Sequence, residues 1–207
     1  MSNATTTQTL RLLQRENIDL KEENERLQEE VLALREYLQG LRALQQDTQA
    51  IASARDLESF LSRVLYTALK AMDAADGSLM LVDYETDELV FAVVKGMLQS
   101  TLQGYRFPKT AGVAGWVATH AEPLIVGNPR LDDRFYSRID ETFGFETTSL
   151  ICVPLLGQDK VIGVIEVLNK FSRQAFNEVD LDVLTILAHI AAEAIERMEK
   201  EVGESHA

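Results

Sequence analysis

The sequence predicts an α+β protein, an antiparallel sheet of five or six strands flanked by helices, with one further long helix ahead of it. Three observations carry this. Leucines recur at seven-residue spacing through the first fifty residues. Two pairs of short apolar runs are each joined by a polar turn, and the chain closes on an apolar stripe at helical spacing. The strands come as hairpins rather than in strand–helix–strand alternation, which argues against a doubly wound sheet.

The long helix comes first. Leu13, Leu20, Leu27, Leu34 and Leu41 occupy one heptad position, and Leu10, Asn17, Asn24, Val31 and Leu38 precede them by three. So narrow a stripe is buried by a partner helix, the a/d seam of a coiled coil. Glu16 with Lys21 and Glu30 with Arg35 would attract across two parallel, in-register helices, and Asn17 and Asn24 favour a parallel dimer over higher assemblies. The alternative is a lone helix lying on its own globular domain. The repeat fades at Gln45 and Thr48. A second amphipathic helix spans Asp56 to Met72, with Leu57, Leu61, Val64 and Ala68 on a face widened by Phe60, Leu65, Leu69 and Met72.

The pattern then becomes extended. "GSLMLVDYETDELVFAVVKG" reads as a hairpin turning at "YETDE". In "GYRFPKTAGVAGWVATHAEPLIVGNP", Gly112 and Gly115 bracket a short helix ending near His120, and Pro123 opens an extended "LIV". "RLDDRFYSRIDETFGF" is a polar segment with aromatics, a loop with a short helix over the sheet. "SLICVPLLGQDKVIGVIEVLNK" is a second hairpin about "GQDK". Phe176 to Met198 is helical, burying Leu181, Leu184, Ala188, Ala191 and Ile195. The expected organisation is a disordered tail over 1–8, a coiled-coil helix over 9–50, a folded domain over 56–198 and a disordered tail over 199–207.

Composition narrows the function. The 33 acidic against 20 basic residues give a net charge of -13, which disfavours nucleic acid and anionic membrane as partners. No apolar run reaches the roughly 20 residues that span a bilayer, and no basic-then-apolar start marks export, so the expected location is the cytoplasm. The single cysteine, Cys152, excludes an intramolecular disulfide and any mechanism needing two cysteines in one subunit. It reads as a small buried strand residue. The three histidines make no H-x-x-x-H pair, so no metal site is expected. No Gly-x-Ser-x-Gly elbow is present, and no catalytic residues are assigned.

Four segments, in order and spacing, resemble the GAF domain family over residues 56–198: "GSLMLVD" after an amphipathic helix, "GVAGWVATHAEPLIVGNP", "SLICVPLLGQDKVIGVIEVLNK" and "FNEVDLDVLTILAHIAAEAI". The resemblance implies a PAS-like, six-stranded antiparallel sheet with helices packed on one face and a small-molecule pocket on the other. It also implies signal sensing, often transmitted through helices at dimer interfaces. It names no cofactor. Two chemistries known on this fold do not carry over. Free-methionine-sulfoxide reductases use paired cysteines, and bilin-binding photoreceptors use a cysteine in characteristic surroundings, often beside a histidine.

"NKFSRQAFNEVD" holds the sharpest candidates. Cyclic-nucleotide-binding GAF domains carry Asn-Lys, a spacer, Phe, three residues and Asp-Glu. Asn169, Lys170, Phe176 and Asp180 match, and Leu181 stands where the final Glu would be. Two readings stand. In one, Asn169 ties the strand end, a Lys170–Asp180 ion pair fixes the helix entry and Phe176 plugs the corner. In the other, these residues form or support a nucleotide pocket. Further candidates for ligand contact are Trp116, as a stacking surface or as core, Arg134 and Tyr136 in a lid-like segment over 128–145, and Thr148.

The functional expectation is a non-catalytic regulatory module. It is a homodimer through a parallel coiled coil formed by Leu13, Asn17, Leu20, Asn24, Leu27, Val31, Leu34, Leu38 and Leu41, with a small-molecule ligand in the GAF pocket. No output domain is legible after residue 198, so the output is expected from a separate protein. The rival expectation is a ligand-free scaffold with a filled, apolar interior, and a third is a cyclic-nucleotide-binding regulator. An internal volume lined by unpaired polar groups near Arg134, Tyr136 and Thr148 separates sensor from scaffold.

Overall fold

A computed structural model describes residues 2–47 and 53–204. The chain divides into two compact units, one ending at Arg42 and the other beginning at Ala43.

Helix α1 runs unbroken over Ser2–Asp47. It starts seven residues ahead of the expected boundary and takes in the stretch read as a disordered tail. "SNATTTQT" is polar but holds no Gly or Pro, so nothing stops the helix propagating back from the leucine-bearing turns. Leu20, Leu27, Val31 and Leu38 are exposed along it. The side chains of Leu13 and Leu34, and residues 48–50, lie outside the described residues.

Helix α2 (Ala54–Ala71) is a separate element with its own cap. Ser53 Oγ accepts from Asp56 N at 3.2 Å while donating to Asp56 Oδ2 at 2.6 Å. Its broad apolar stripe is buried: Phe60, Leu61, Val64, Leu65, Ala68 and Leu69. Each fully buried leucine contributes on the order of 1.5–3 kcal/mol.

The sheet has six strands in the order β3-β2-β1-β6-β5-β4, every neighbouring pair antiparallel. They are β1 (Ala74–Asp83), β2 (Glu88–Lys95), β3 (Arg106–Pro108), β4 (Leu124–Val126), β5 (Leu150–Leu156) and β6 (Val161–Lys170). The two hairpins expected from the sequence, β1–β2 and β5–β6, lie side by side, joined by β1 against β6. At the first turn Asp83 Oδ1 accepts from Glu85 N and Thr86 N at 3.0 and 3.2 Å, closing "YETD" tightly. β1 and β6 pack closely because Gly163 faces Met80; a Cβ there would collide with the Met80 carbonyl oxygen.

Alternation then sorts the side chains between two faces. Gly77 sits against Leu65 and Leu69 of α2, on the face covered by α2 and the last helix, α6 (Glu178–Glu204). Leu184, Leu187, Ala188, Ala191 and Ile195 of α6 are buried there. The helix continues past the expected end at 198, since "EKEV" favours helix, and residues 205–207 of the expected tail lie outside the described residues. The opposite face carries a second core built from Met80, Leu89, Phe91, Val113, Val117, Leu150, Cys152 and Val164. Short elements cover it: α3 (Gln99–Leu102), α4 (Gly112–His120), a 3-10 turn at Pro129–Leu131 and α5 (Arg138–Phe143). Helices therefore lie on both faces, long on one and short on the other. α3 and β3 have no counterpart in the sequence reading; at four and three residues they are too short to show a period.

Candidate functional site

The second core does not close. Between β1, β2 and β6 below and α3, α4 and α5 above lies a cavity of about 80 Å³, with walls that include Met80, Phe91, Leu102, Val113, Phe135 and Leu168. Strand register brings its polar floor together. Val94, Ser78, Glu166 and Cys152 are successive cross-strand partners on β2, β1, β6 and β5, so their side chains rise from one row of the sheet. Ser78 and Glu166 both line the cavity. Ser78 is only 4% exposed. Neither its hydroxyl nor the Glu166 carboxyl has a hydrogen-bond partner among the described residues.

That isolation sets the chemistry of Glu166. Burial, helped by the nearby Asp140 carboxylate, raises its carboxyl from 4.5 to about 7, so a large share of it is protonated at neutral pH. Burial likewise pushes the Cys152 thiol well above its ordinary value, with the Glu166 charge adding to the effect. Such a thiol is no nucleophile.

Asp140, on α5, lines the opposite part of the cavity and is tied down by the segment entering β5. It accepts from Thr147 N at 2.8 Å and from Thr147 Oγ1 at 2.9 Å. Ala111–Ala114 form another wall. Gly112, at φ +74, turns the chain into α4 against Tyr136, and no side chain caps this helix start. An outer recess of about 460 Å³ is lined by Pro129, Arg130, Asp132, Ser137 and Glu141 and shares Phe135, Asp140 and Phe145 with the inner cavity. Those three residues form the partition between the two.

A sequence profile of the GAF domain matches residues 54–196. The chain belongs to the GAF domain family. This GAF domain is 31% identical over 141 residues to a probable 3′,5′-cyclic phosphodiesterase, pde-5, of Caenorhabditis elegans, a match covering 64% of this chain and 19% of that protein. It is 33% identical over 144 residues to the dual 3′,5′-cyclic-AMP and -GMP phosphodiesterase 11A of Takifugu rubripes, covering 65% of this chain and 16% of that protein. The chain thus spans less than a fifth of either relative. Among solved structures, the GAF domain of a phosphoenolpyruvate-protein phosphotransferase from Coxiella burnetii superposes with a TM-score of 0.70 at 22% identity, over 81% of this chain and 96% of that one. The free methionine-R-sulfoxide reductase of Neisseria meningitidis does so with a TM-score of 0.64 at 22% identity, over 80% and 91%. These two likenesses establish the fold.

Of the residues singled out in the sequence for ligand contact, Tyr136 alone lines the GAF cavity. Trp116 is half-buried against the second core. Its indole stacks on His120 with centroids 4.2 Å apart and planes 14° from parallel, and the Arg134 guanidinium lies 5.0 Å from the same ring. Arg134 is held by Asp132 through Nε at 2.8 Å and Nη2 at 2.7 Å, which occupies the charge an acidic ligand would need. Thr148 and Asn169 bind each other. Asn169 Oδ1 accepts from Thr148 N and Oγ1 at 2.8 and 2.9 Å, and its Nδ2 donates to the Glu146 carbonyl at 2.8 Å. Its left-handed backbone, at φ +51, is one that asparagine tolerates.

Lys170 Nζ sits 2.6 Å from Asp180 Oδ2 and 5.3 Å from the Phe176 ring. Asn177 caps α6 by accepting from Val179 N and Asp180 N. Asn169 thus ties the end of β6 to the segment entering β5, and Lys170 with Asp180 joins β6 to α6; none of the three lines the cavity. Apart from Tyr136, the polar side chains of the cavity, among them Asp76, Ser78, Lys95, Asp140, Thr147 and Glu166, are not among the candidates read from the sequence. A signal for Glu166 existed: it is the one ionisable residue inside "VIGVIEVL", a run too apolar for either face of its strand to meet water.

Proposed function

We propose that this GAF domain is a cytoplasmic, non-catalytic sensor that holds a small molecule in the cavity above β1 and β6 and passes its occupancy to a separate protein through paired helices. The observation that carries the reading is the cavity itself, with a buried hydroxyl and a carboxyl left unpaired on its floor. A ligand-free scaffold gains nothing from such groups, because a buried polar atom without a partner costs on the order of 1–3 kcal/mol. Glu166 on the floor and Asp140 opposite it are binding groups in this reading, and Phe135 and Phe145 form the door to the outer recess. Occupancy is transmitted only insofar as the ligand binds two arrangements of the domain unequally.

Mass spectrometry of the freshly purified chain tests this, first native and then denatured. A small mass lost on denaturation is expected. A bare polypeptide mass, together with no thermal stabilisation by any metabolite screened, would return the domain to the scaffold reading. The names of the two phosphodiesterase relatives favour a second reading, a cyclic nucleotide as the ligand. Against it stands Leu181 at the position of the motif's final Glu.

The pairing of helices rests on α1. Its seam residues Leu20, Leu27, Val31 and Leu38 are exposed on a single helix, and a second, parallel copy would cover them. Replacing Leu20 and Leu27 by lysine is expected to give a monomer in sedimentation velocity at concentrations where the parent chain is a dimer. A variant that still sediments wholly as a dimer would remove this seam as the main interface.

A further inference from the structure

The cavity's charge and size say what kind of molecule it suits. At about 80 Å³ it has room for a handful of water molecules, far below the roughly 300–1,000 Å³ of sites for drug-sized ligands. Its ionisable lining is acidic: Asp76 on β1, Asp140 on α5 and Glu166 on β6, against Lys95 on β2. Tyr136 in the lining and the Cys152 thiol, beside Glu166 in the same cross-strand row, complete the titratable groups around it.

Two of the acids are partly engaged. Asp76 Oδ1 accepts from Met97 N at 2.8 Å, and each Asp140 oxygen accepts once from Thr147. A carboxylate has about four acceptor sites, so Asp140 keeps free ones and Glu166 keeps all. Lys95 forms no ion pair with either among the described residues. The Ser78 hydroxyl, 4% exposed and unpartnered, stands beside Glu166 in the same cross-strand row. The cavity therefore offers three acceptors with open sites, Ser78 and Glu166 on the floor and Asp140 across from them, and Lys95 is the one cationic side chain in its lining. A phosphate placed there would meet like charge, whereas an ammonium group brings three donors to three acceptors.

We propose that the cavity takes a small primary amine in its protonated form, its ammonium held by Glu166, Asp140 and Ser78 and its short apolar tail lying against Met80, Phe91 and Leu168. The inference rests on the sensor reading of the same cavity and narrows its ligand to a class that excludes cyclic nucleotides.

The test uses three four-carbon probes that differ only in the head group, n-butylamine, 1-butanol and butyrate, with guanosine 3′,5′-cyclic monophosphate as a fourth. Binding to the full chain is measured by saturation-transfer NMR titration. Butylamine is expected to bind at pH 8 while the other three do not. Glu166→Gln should weaken butylamine by tenfold or more. Because Glu166 must ionise to hold the ammonium, affinity in the parent chain should rise about tenfold from pH 6 to pH 8, and it should stay flat in the Glu166→Gln variant. Binding of butyrate or the cyclic nucleotide with butylamine silent would overturn the amine while leaving a ligand pocket in place. Equal butylamine affinity in parent and variant would overturn the placement on Glu166. Silence from all four probes would overturn the amine, while the sensor reading stands or falls separately on the mass lost at denaturation.

Discussion

Replacing Glu166 by glutamine is expected to stabilise the protein at pH 8 and to leave its stability nearly unchanged at pH 4. The carboxyl titrates near 7 in the folded chain against an ordinary 4.5. Between those values the folded state keeps a proton that the unfolded state has lost. Stability contributed by this group is therefore present in full below pH 4.5, falls as pH rises toward 7, and is flat above it. The rise from 4.5 to about 7 corresponds to an upper limit of about 3 kcal/mol, reduced to the extent that water in the cavity screens the charge. Glutamine has nearly the shape of the neutral acid and cannot ionise, so it escapes this loss. Urea unfolding of both proteins at pH 5 and pH 8 measures the effect as a pH-dependent difference in midpoint. A difference equal at both values would mean that Glu166 titrates like a solvated carboxylate. A group that weakens its own fold at neutral pH and serves no structural partner is what a binding floor looks like before its ligand arrives.

The contrast between Glu166 and the residues picked from the sequence shows what a single chain makes legible. The hairpins and the two-faced core are legible because the turn-bounded apolar runs of β1 and β6, buried on both faces, and the burial of every third or fourth residue in α2 and α6 are written directly in the order of residues. The candidate ligand contacts read from the sequence rest on chemical type, on a polar lid-like segment and on a family motif. Trp116 and Arg134 drew notice for that reason, yet Asp132, two residues before Arg134, already satisfies the guanidinium. The floor of the cavity lies in strands instead. Its membership depends on which residues of β1, β5 and β6 stand opposite one another, and register across a long connection is a tertiary property. Glu166 could have been found as the acid in an apolar strand. Asp140 could not: only the folding of α5 over the sheet brings it to the same space.

The corner at "NKFSRQAFNEVD" is expected to act on stability and not on binding, and Asp180→Ala separates the two. The Lys170 and Asp180 side chains are 13% and 10% exposed, and their atoms are 2.6 Å apart. Asp180 Oδ2 also accepts from Asn177 N at 2.8 Å, joining the ion pair to the cap of α6. Removing Asp180 leaves an ammonium shielded from water with only the Phe176 ring for company, at a cost of about 3–5 kcal/mol in unfolding free energy. Lys170→Met in the same chain should restore a large part of that loss, because it removes the stranded charge while keeping the aliphatic contact with Phe176. A cost below about 1 kcal/mol for Asp180→Ala would put the pair in the class of solvated surface bridges and remove its role as a brace. Binding gives the second readout. Neither residue lines the cavity, so the folded Asp180→Ala protein should hold butylamine within twofold of the parent chain. A loss of ligand affinity larger than that, with the double variant restoring stability but not binding, would move the corner from scaffold to site. It would then favour the nucleotide reading over the amine.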